Sequence, residues 1–105
     1  MYTIIELPTF SADAASIWDE EERGEFCAWL AGNPEAGDVI KGSGGCRKVR
    51  WQASGHGKRG GARVIYYNRL ANGVIYLMVI YAKVERGSIP AHILKAVKRT
   101  IEHGE

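Results

Sequence analysis

The stretch Ala62-Arg63-Val64-Ile65-Tyr66-Tyr67-Asn68-Arg69-Leu70-Ala71-Asn72-Gly73-Val74-Ile75-Tyr76-Leu77-Met78-Val79-Ile80-Tyr81-Ala82 decides the fold class. Two runs rich in β-branched and aromatic residues, Ala62–Leu70 and Val74–Ala82, flank Asn72-Gly73. Such side chains suit a pleated, half-buried surface, and Asn-Gly between apolar runs signals a hairpin because both residues accept positive φ. Just upstream, Cys46–Gln52 alternates, with Cys46, Lys48, Arg50 and Gln52 on one side and Arg47, Val49 and Trp51 on the other. That is the period of a strand with one cationic face. Tyr2–Glu6 adds a short strand, ended by Pro8. Helical signals fill the gap. Ser11–Ile17 predicts one or two turns, and Ser16 or Asp19 is placed to cap a second helix, with Glu22 three residues after Asp19. Glu20–Glu22 occupy its first turn, where the macrodipole favours carboxylates. Phe26, Cys27 and Leu30 form its stripe, and Gly32-Asn33-Pro34 stops it. Ser88 and Pro90 open a last helix, with Ile89, Ile93, Leu94, Val97 and Ile101 on its apolar side and Lys95, Lys98 and Arg99 on its polar side. The predicted order is β-α-α-β-β-β-α. It describes an α+β domain, mainly an antiparallel sheet of about four strands packed on N-terminal helices and a C-terminal helix.

The 105 residues predict one domain, 1–105. With 46% apolar and 25% charged residues the chain reads as globular rather than disordered or fibrous. No apolar run approaches the roughly 20 residues of a membrane-spanning helix. No basic leader followed by an apolar stretch marks secretion, and Cys27 and Cys46 have no CxxC partner, so the expected setting is a reducing cytoplasm with two free thiols. Charge is segregated. Residues 1–40 carry nine acids and one base, for −8, and residues 41–69 carry eight bases and no acid. That central stretch either lies under the acidic first third or awaits an external polyanion. A merely solvated basic face leaves the missing carboxylates unexplained, since solubility favours interspersed signs.

Gly55-His56-Gly57-Lys58-Arg59-Gly60 satisfies GxGxxG. A dinucleotide fingerprint must open a helix, whereas the following Ala62–Leu70 reads as a strand. Walker A also fails, because Arg59 follows the lysine and Gln52 stands where the first glycine belongs. A glycine-rich loop remains that presents His56, Lys58 and Arg59, either to a phosphate that glycine lets approach closely or simply to solvent. His56, His92 and His103 show no metal-ligand spacing, so no metal and no cofactor are expected. No carboxylate near His56 in sequence supports a Ser-His-Asp arrangement.

The surviving constellation is cationic and aromatic: Lys48 and Arg50 on one strand face, Lys58 and Arg59 on the loop, Arg63 opening the next strand, Tyr81 and Lys83 ending the last. Cleavage of an RNA phosphodiester asks for little else. The 2′-hydroxyl loses a proton, the charge growing on phosphorus is stabilised, and the departing 5′-oxygen is protonated. Arginine offers a planar fork to phosphate oxygens, and tyrosine stacks on unpaired bases. Any one of these residues alone is better read as structural, a lone strand arginine being ordinarily a solvated charge; their convergence on one sheet is the signal.

The run Gly37-Asp38-Val39-Ile40-Lys41-Gly42-Ser43-Gly44-Gly45-Cys46-Arg47-Lys48-Val49-Arg50, followed by Gly57-Lys58-Arg59-Gly60-Gly61-Ala62-Arg63-Val64-Ile65-Tyr66-Tyr67, resembles the RelE/HigB branch of the RelE–ParE toxin superfamily. Ile80-Tyr81-Ala82-Lys83 is similar to its last-strand signature. The resemblance implies a ribosome-dependent, metal-independent mRNA endoribonuclease acting in the A site. Its partner is a cognate antitoxin, of helix-turn-helix type, encoded beside it. It implies catalytic roles for Lys48, Arg50, Arg63 and Lys83 and RNA-binding roles for Arg47, His56, Lys58, Arg59 and Tyr81. The family's C-terminal stacking tyrosine has no counterpart after Tyr81, which leaves Tyr81 as the candidate ring. The alternative is a protein of the same fold without nuclease activity, such as a ParE-like gyrase inhibitor or an RNA- or antitoxin-binding protein.

Overall fold

The computed structural model describes residues 2–51, 62–69, 72–82 and 89–103. The elements are β1 (Thr3–Glu6), α1 (Pro8–Ile17), α2 (Glu20–Gly32), β2 (Asp38–Val39), β3 (Arg47–Trp51), β4 (Ala62–Arg69), β5 (Val74–Ala82) and α3 (Ala91–His103). The α+β class is as expected, with two differences in the sheet. It has five strands in the order β1-β5-β4-β3-β2, the fifth being the two-residue β2. It is also mixed, because β1 runs parallel to β5 with Ile4 opposite Ile75. The remaining pairs are antiparallel, and Arg69 pairs with Val74 across the Asn72-Gly73 turn, where Gly73 has φ +68°.

Local chemistry accounts for the ends of the helices. Pro8 starts α1 rather than merely ending β1, so this helix is longer than expected; proline's missing N–H costs nothing in a first turn. Asp19 caps α2, its carboxylate accepting from the Glu22 N–H at 2.8 Å. Ser16 takes no part in that cap and donates to the Asp13 carbonyl. On α3, Leu94 is buried and Val97 and Ile101 pack beside it, but Ile93 is 46% exposed. At about 100° per residue, Ile93 lies about 100° around the helix from Leu94, whereas Lys98 lies only about 40° from it.

The sheet carries a core on each face. Val49, Val64, Tyr66, Ile75, Leu77 and Ile80 pack against Phe10, Ala14, Trp18, Phe26 and Leu30 of the α1–α2 side. Ile65, Met78 and Tyr81 pack with Cys46 and with Leu94 of α3 on the other. Ile65 pairs with Val79 and Tyr66 with Leu77, so Met78 is the extra residue of a bulge. The bulge adds a second apolar side chain to the α3 side.

Candidate nucleic-acid interface

Strand alternation and register build the site. On β3, Val49 and Trp51 turn toward the α1–α2 core, where Trp51 meets Phe26 and Trp29 at ring-centroid distances of 5.4 and 5.2 Å. This anchoring turns the intervening Lys48 and Arg50 to the opposite face. Lys48 stands opposite Ile65 and Arg50 opposite Arg63, and Arg63 in turn stands opposite Tyr81. Directly opposed residues share a face, with Cβ atoms about 5 Å apart. Lys48, Arg50 and Arg63 therefore form one cationic row on the α3 side of the sheet. Arg50 is exposed, and Lys48 and Arg63 are half-buried. Asp38 of β2 stands opposite Lys48 at one end of the row, but among the described residues neither Lys48 nor Arg50 forms an ion pair and no imidazole stands in the row.

Of the predicted RNA-binding residues, one lies on the other face of the sheet and one is buried beside the row. Arg47 is on the helix-facing side of β3, where its guanidinium donates to the Gly37 carbonyl at 2.7 Å and the Glu35 carbonyl at 3.2 Å. It ties the loop after α2 to the sheet. Tyr81 is 5% exposed and packs with Cys46, Ile65, Met78 and Leu94. Its ring offers no open face to a base and serves as apolar floor beside Arg63. His56, Lys58, Arg59 and Lys83 lie outside the described residues, as does Ser88.

The helix over this face is clasped to it. The Tyr67 hydroxyl donates to Glu102 Oε2 at 2.7 Å, and Lys98 Nζ lies 3.2 Å from the same oxygen and 5.2 Å from the Tyr67 ring centroid. Burial, reinforced by the Glu102 carboxylate, pushes the Tyr67 hydroxyl up to about 12. The same Tyr67 hydrogen bond, with Lys98, holds the Glu102 carboxyl below the usual carboxylate range. Lys98 is thus a half-buried clasp, not the solvated polar-face lysine expected. Three glycines at positive φ, Gly42, Gly44 and Gly45, give the only hint in the sequence that a turn comes close to this helix.

The cysteines bear on no chemistry here. Cys46 is buried with Sγ 3.8 Å from Met78 Sδ, Cys27 is half-buried, and desolvation raises both thiols. Among the described residues no group of three or more His, Cys, Asp or Glu side chains is placed to hold a metal ion. Nor is any described helix long and apolar enough to cross a membrane.

Comparison with solved structures places this architecture. The free state of an E. coli toxin RelE variant, with two arginines changed to alanine, superposes with a TM-score of 0.62. The match covers 93% of this chain and 96% of that one. The chain has the RelE fold. Sequence identity over the match is 19%, and no protein-family model matches the sequence. Within this RelE-like frame, α3 covers the part of its sheet face around Ile65 and Tyr67, and the cationic row lies toward the end at Trp51, Ala62 and Ala82.

Proposed function

We propose that this protein is the toxin of a type II toxin–antitoxin module and an mRNA endoribonuclease that works in the ribosomal A site. The observation that carries this reading is the register that sets Arg50 directly opposite Arg63, with Lys48 on the same face. Two guanidiniums opposed across strands place two planar phosphate-binding forks side by side, an arrangement that a phosphodiester between them would stabilise. The RelE fold supports the same reading.

In the proposed reaction the 2′-oxygen forms a bond to phosphorus as the bond from phosphorus to the 5′-oxygen breaks. The products are a 2′,3′-cyclic phosphate and a 5′-hydroxyl; one proton leaves the 2′-hydroxyl and one reaches the departing oxygen. Arg63 stabilises the equatorial oxygens of the phosphorane, and Lys48 and Arg50 hold the scissile phosphate and its 2′-hydroxyl neighbour. Lys58, Arg59 and Lys83 are assigned to backbone contacts of mRNA or rRNA. A row without a histidine–carboxylate pair contributes mainly charge and position, so the substrate must arrive already oriented, a service that fits the ribosome. No metal enters the scheme, and a helix-turn-helix antitoxin is the proposed inhibitor.

Arg63→Ala tests the assignment. On programmed ribosomes, cutting followed by primer extension is expected to fall about 100-fold or more, the scale of one lost transition-state donor, with growth inhibition lost in parallel. Equal cutting by Arg63→Ala and wild type overturns the catalytic role. Trapped cleaved DNA in a gyrase supercoiling assay, with mRNA intact, would select the gyrase-inhibitor alternative.

A further inference from the structure

A second cationic feature adjoins the row. The turn from Gly42 to Gly45 packs along α3: a Cβ on Gly42 would lie 3.5 Å from Ala91 Cβ, and one on Gly44 would lie 3.2 Å from Lys98 Cδ, 3.4 Å from Lys98 Nζ and 3.6 Å from Lys95 Cγ. Gly44, at φ +82°, admits an ammonium against bare backbone where any side chain would intrude. Ser43 is fully engaged within the turn, its hydroxyl donating to the Ile40 carbonyl and accepting from the Cys46 N–H. The Gly44 and Gly45 N–H groups, by contrast, have no protein acceptor among the described residues. Lys95 and Arg99 are exposed on the adjoining surface of α3. Glu102, further along α3, is taken by Tyr67 and Lys98.

Peptide N–H donors beside ammonium groups at a glycine turn are the makings of an anion site. The chain itself links this turn to the row, because Cys46, which closes the turn, is followed by β3. Arg50 lies four positions beyond Cys46, about 13 Å at the usual rise. That is the span of roughly four stacked nucleotides at about 3.4 Å each. We infer that the Gly44–Gly45 turn, with Lys95, Lys98 and Arg99 of α3, binds a second backbone phosphate of the RNA strand held by Lys48, Arg50 and Arg63. This rests on the RNA-directed reading above and adds a direction to it: the strand leaves the row toward α3.

The test uses the full chain and single-stranded 2′-O-methyl RNA, which lacks the nucleophile and is not cut. A trinucleotide is too short to reach both places; a 12-mer reaches both. For the 12-mer, Lys95→Ala/Arg99→Ala is expected to flatten the slope of log affinity against log salt by about 0.7, the value for one lost phosphate contact on a single strand. Trinucleotide binding is expected to be unchanged, and Lys95→Arg to behave as wild type. Wild-type slope and affinity of the double variant for the 12-mer overturn the inference. So does an equal loss on the trinucleotide, which would place these cations at the row itself. Failure of the nuclease reading shows separately, as undiminished cutting by Arg63→Ala.

Discussion

At the scale of single residues, Gly37 positions the row without belonging to it. Its N–H donates to the buried Tyr66 hydroxyl oxygen at 2.9 Å, and a Cβ there would lie 2.8 Å from the Lys48 carbonyl oxygen and 3.1 Å from Tyr66 Cε1. One of those neighbours is strand backbone, so β3 has to move to admit a methyl group. Gly37→Ala is expected to lose about 1–3 kcal/mol, the range for overpacking, and to weaken cutting through a displaced Lys48. Gly24 is the internal control. It lies within α2 with nothing inside 4 Å of a Cβ, so Gly24→Ala is expected to gain about 0.5–1 kcal/mol of helix propensity. Denaturant titration of the two variants reads both signs, and a neutral Gly37→Ala would refute the close packing. These residues also show where the sequence stopped being legible. Alternation alone separates Lys48 and Arg50 from Arg47, but it cannot say that the Arg47 side faces the helices and two backbone carbonyls. An aromatic residue at a strand end reads the same whether its ring is open to a base or, like Tyr81, buried under a helix.

Among the elements, β1 and α2 are joined by charge as well as by packing. Arg23 holds Glu6 through both its Nε and an Nη, the former at 2.9 Å, and Ser11 of α1 donates to the same carboxylate at 2.7 Å. The Arg23 hydrogen bond, opposed by burial and aided by Ser11, lowers the Glu6 pKa below its ordinary value. A carboxyl whose folded-state pKa is depressed stabilises the fold above its unfolded value, near 4.3, and that contribution drains away as pH falls through the folded one. Wild type is therefore expected to lose stability between neutral pH and about pH 3 more steeply than Glu6→Gln, as read by denaturant midpoints across pH. Parallel acid profiles would remove the link. Asp19→Ala is expected to cost about 1 kcal/mol through the lost α2 cap. The hairpin, both long helices and the Asp19 cap were legible because each is encoded within a dozen residues. The β1–β5 pairing was not, since it joins residues some seventy positions apart and no local pattern marks a parallel partner. Two residues of β2 carry no period to detect. Ile93 was misplaced because an apolar stripe counted by spacing alone does not reveal where its centre lies.

For the whole molecule, the sheet acts as a partition between charges of opposite sign. The acidic residues of α1 and α2, including the exposed Glu20, Glu21 and Glu25, belong to helices packed on one face, while Lys48, Arg50 and Arg63 lie on the other. The sequence posed a choice between an acidic cover for the basic segment and an external polyanion, and this arrangement keeps the acids of α1 and α2 off the row, leaving Asp38, opposite Lys48, at its edge. Screening reinforces the separation, because the Debye length is about 10 Å at 0.1 M salt, so exposed carboxylates beyond the sheet do little to quench the row. RNA binding should then take its salt dependence from the row and hardly at all from the acidic side. Lys48→Ala is expected to flatten the slope of log affinity against log salt by about 0.7, one phosphate contact on a single strand. Glu20→Gln/Glu21→Gln, which raises net charge by two, is expected to leave that slope unchanged. If the slope instead tracked net charge, with the glutamine pair strengthening binding about twice as much as Lys48→Ala weakens it, the partition would have no electrostatic meaning. Attraction of RNA would then belong to the molecule's overall charge and not to the face on which its cations are gathered.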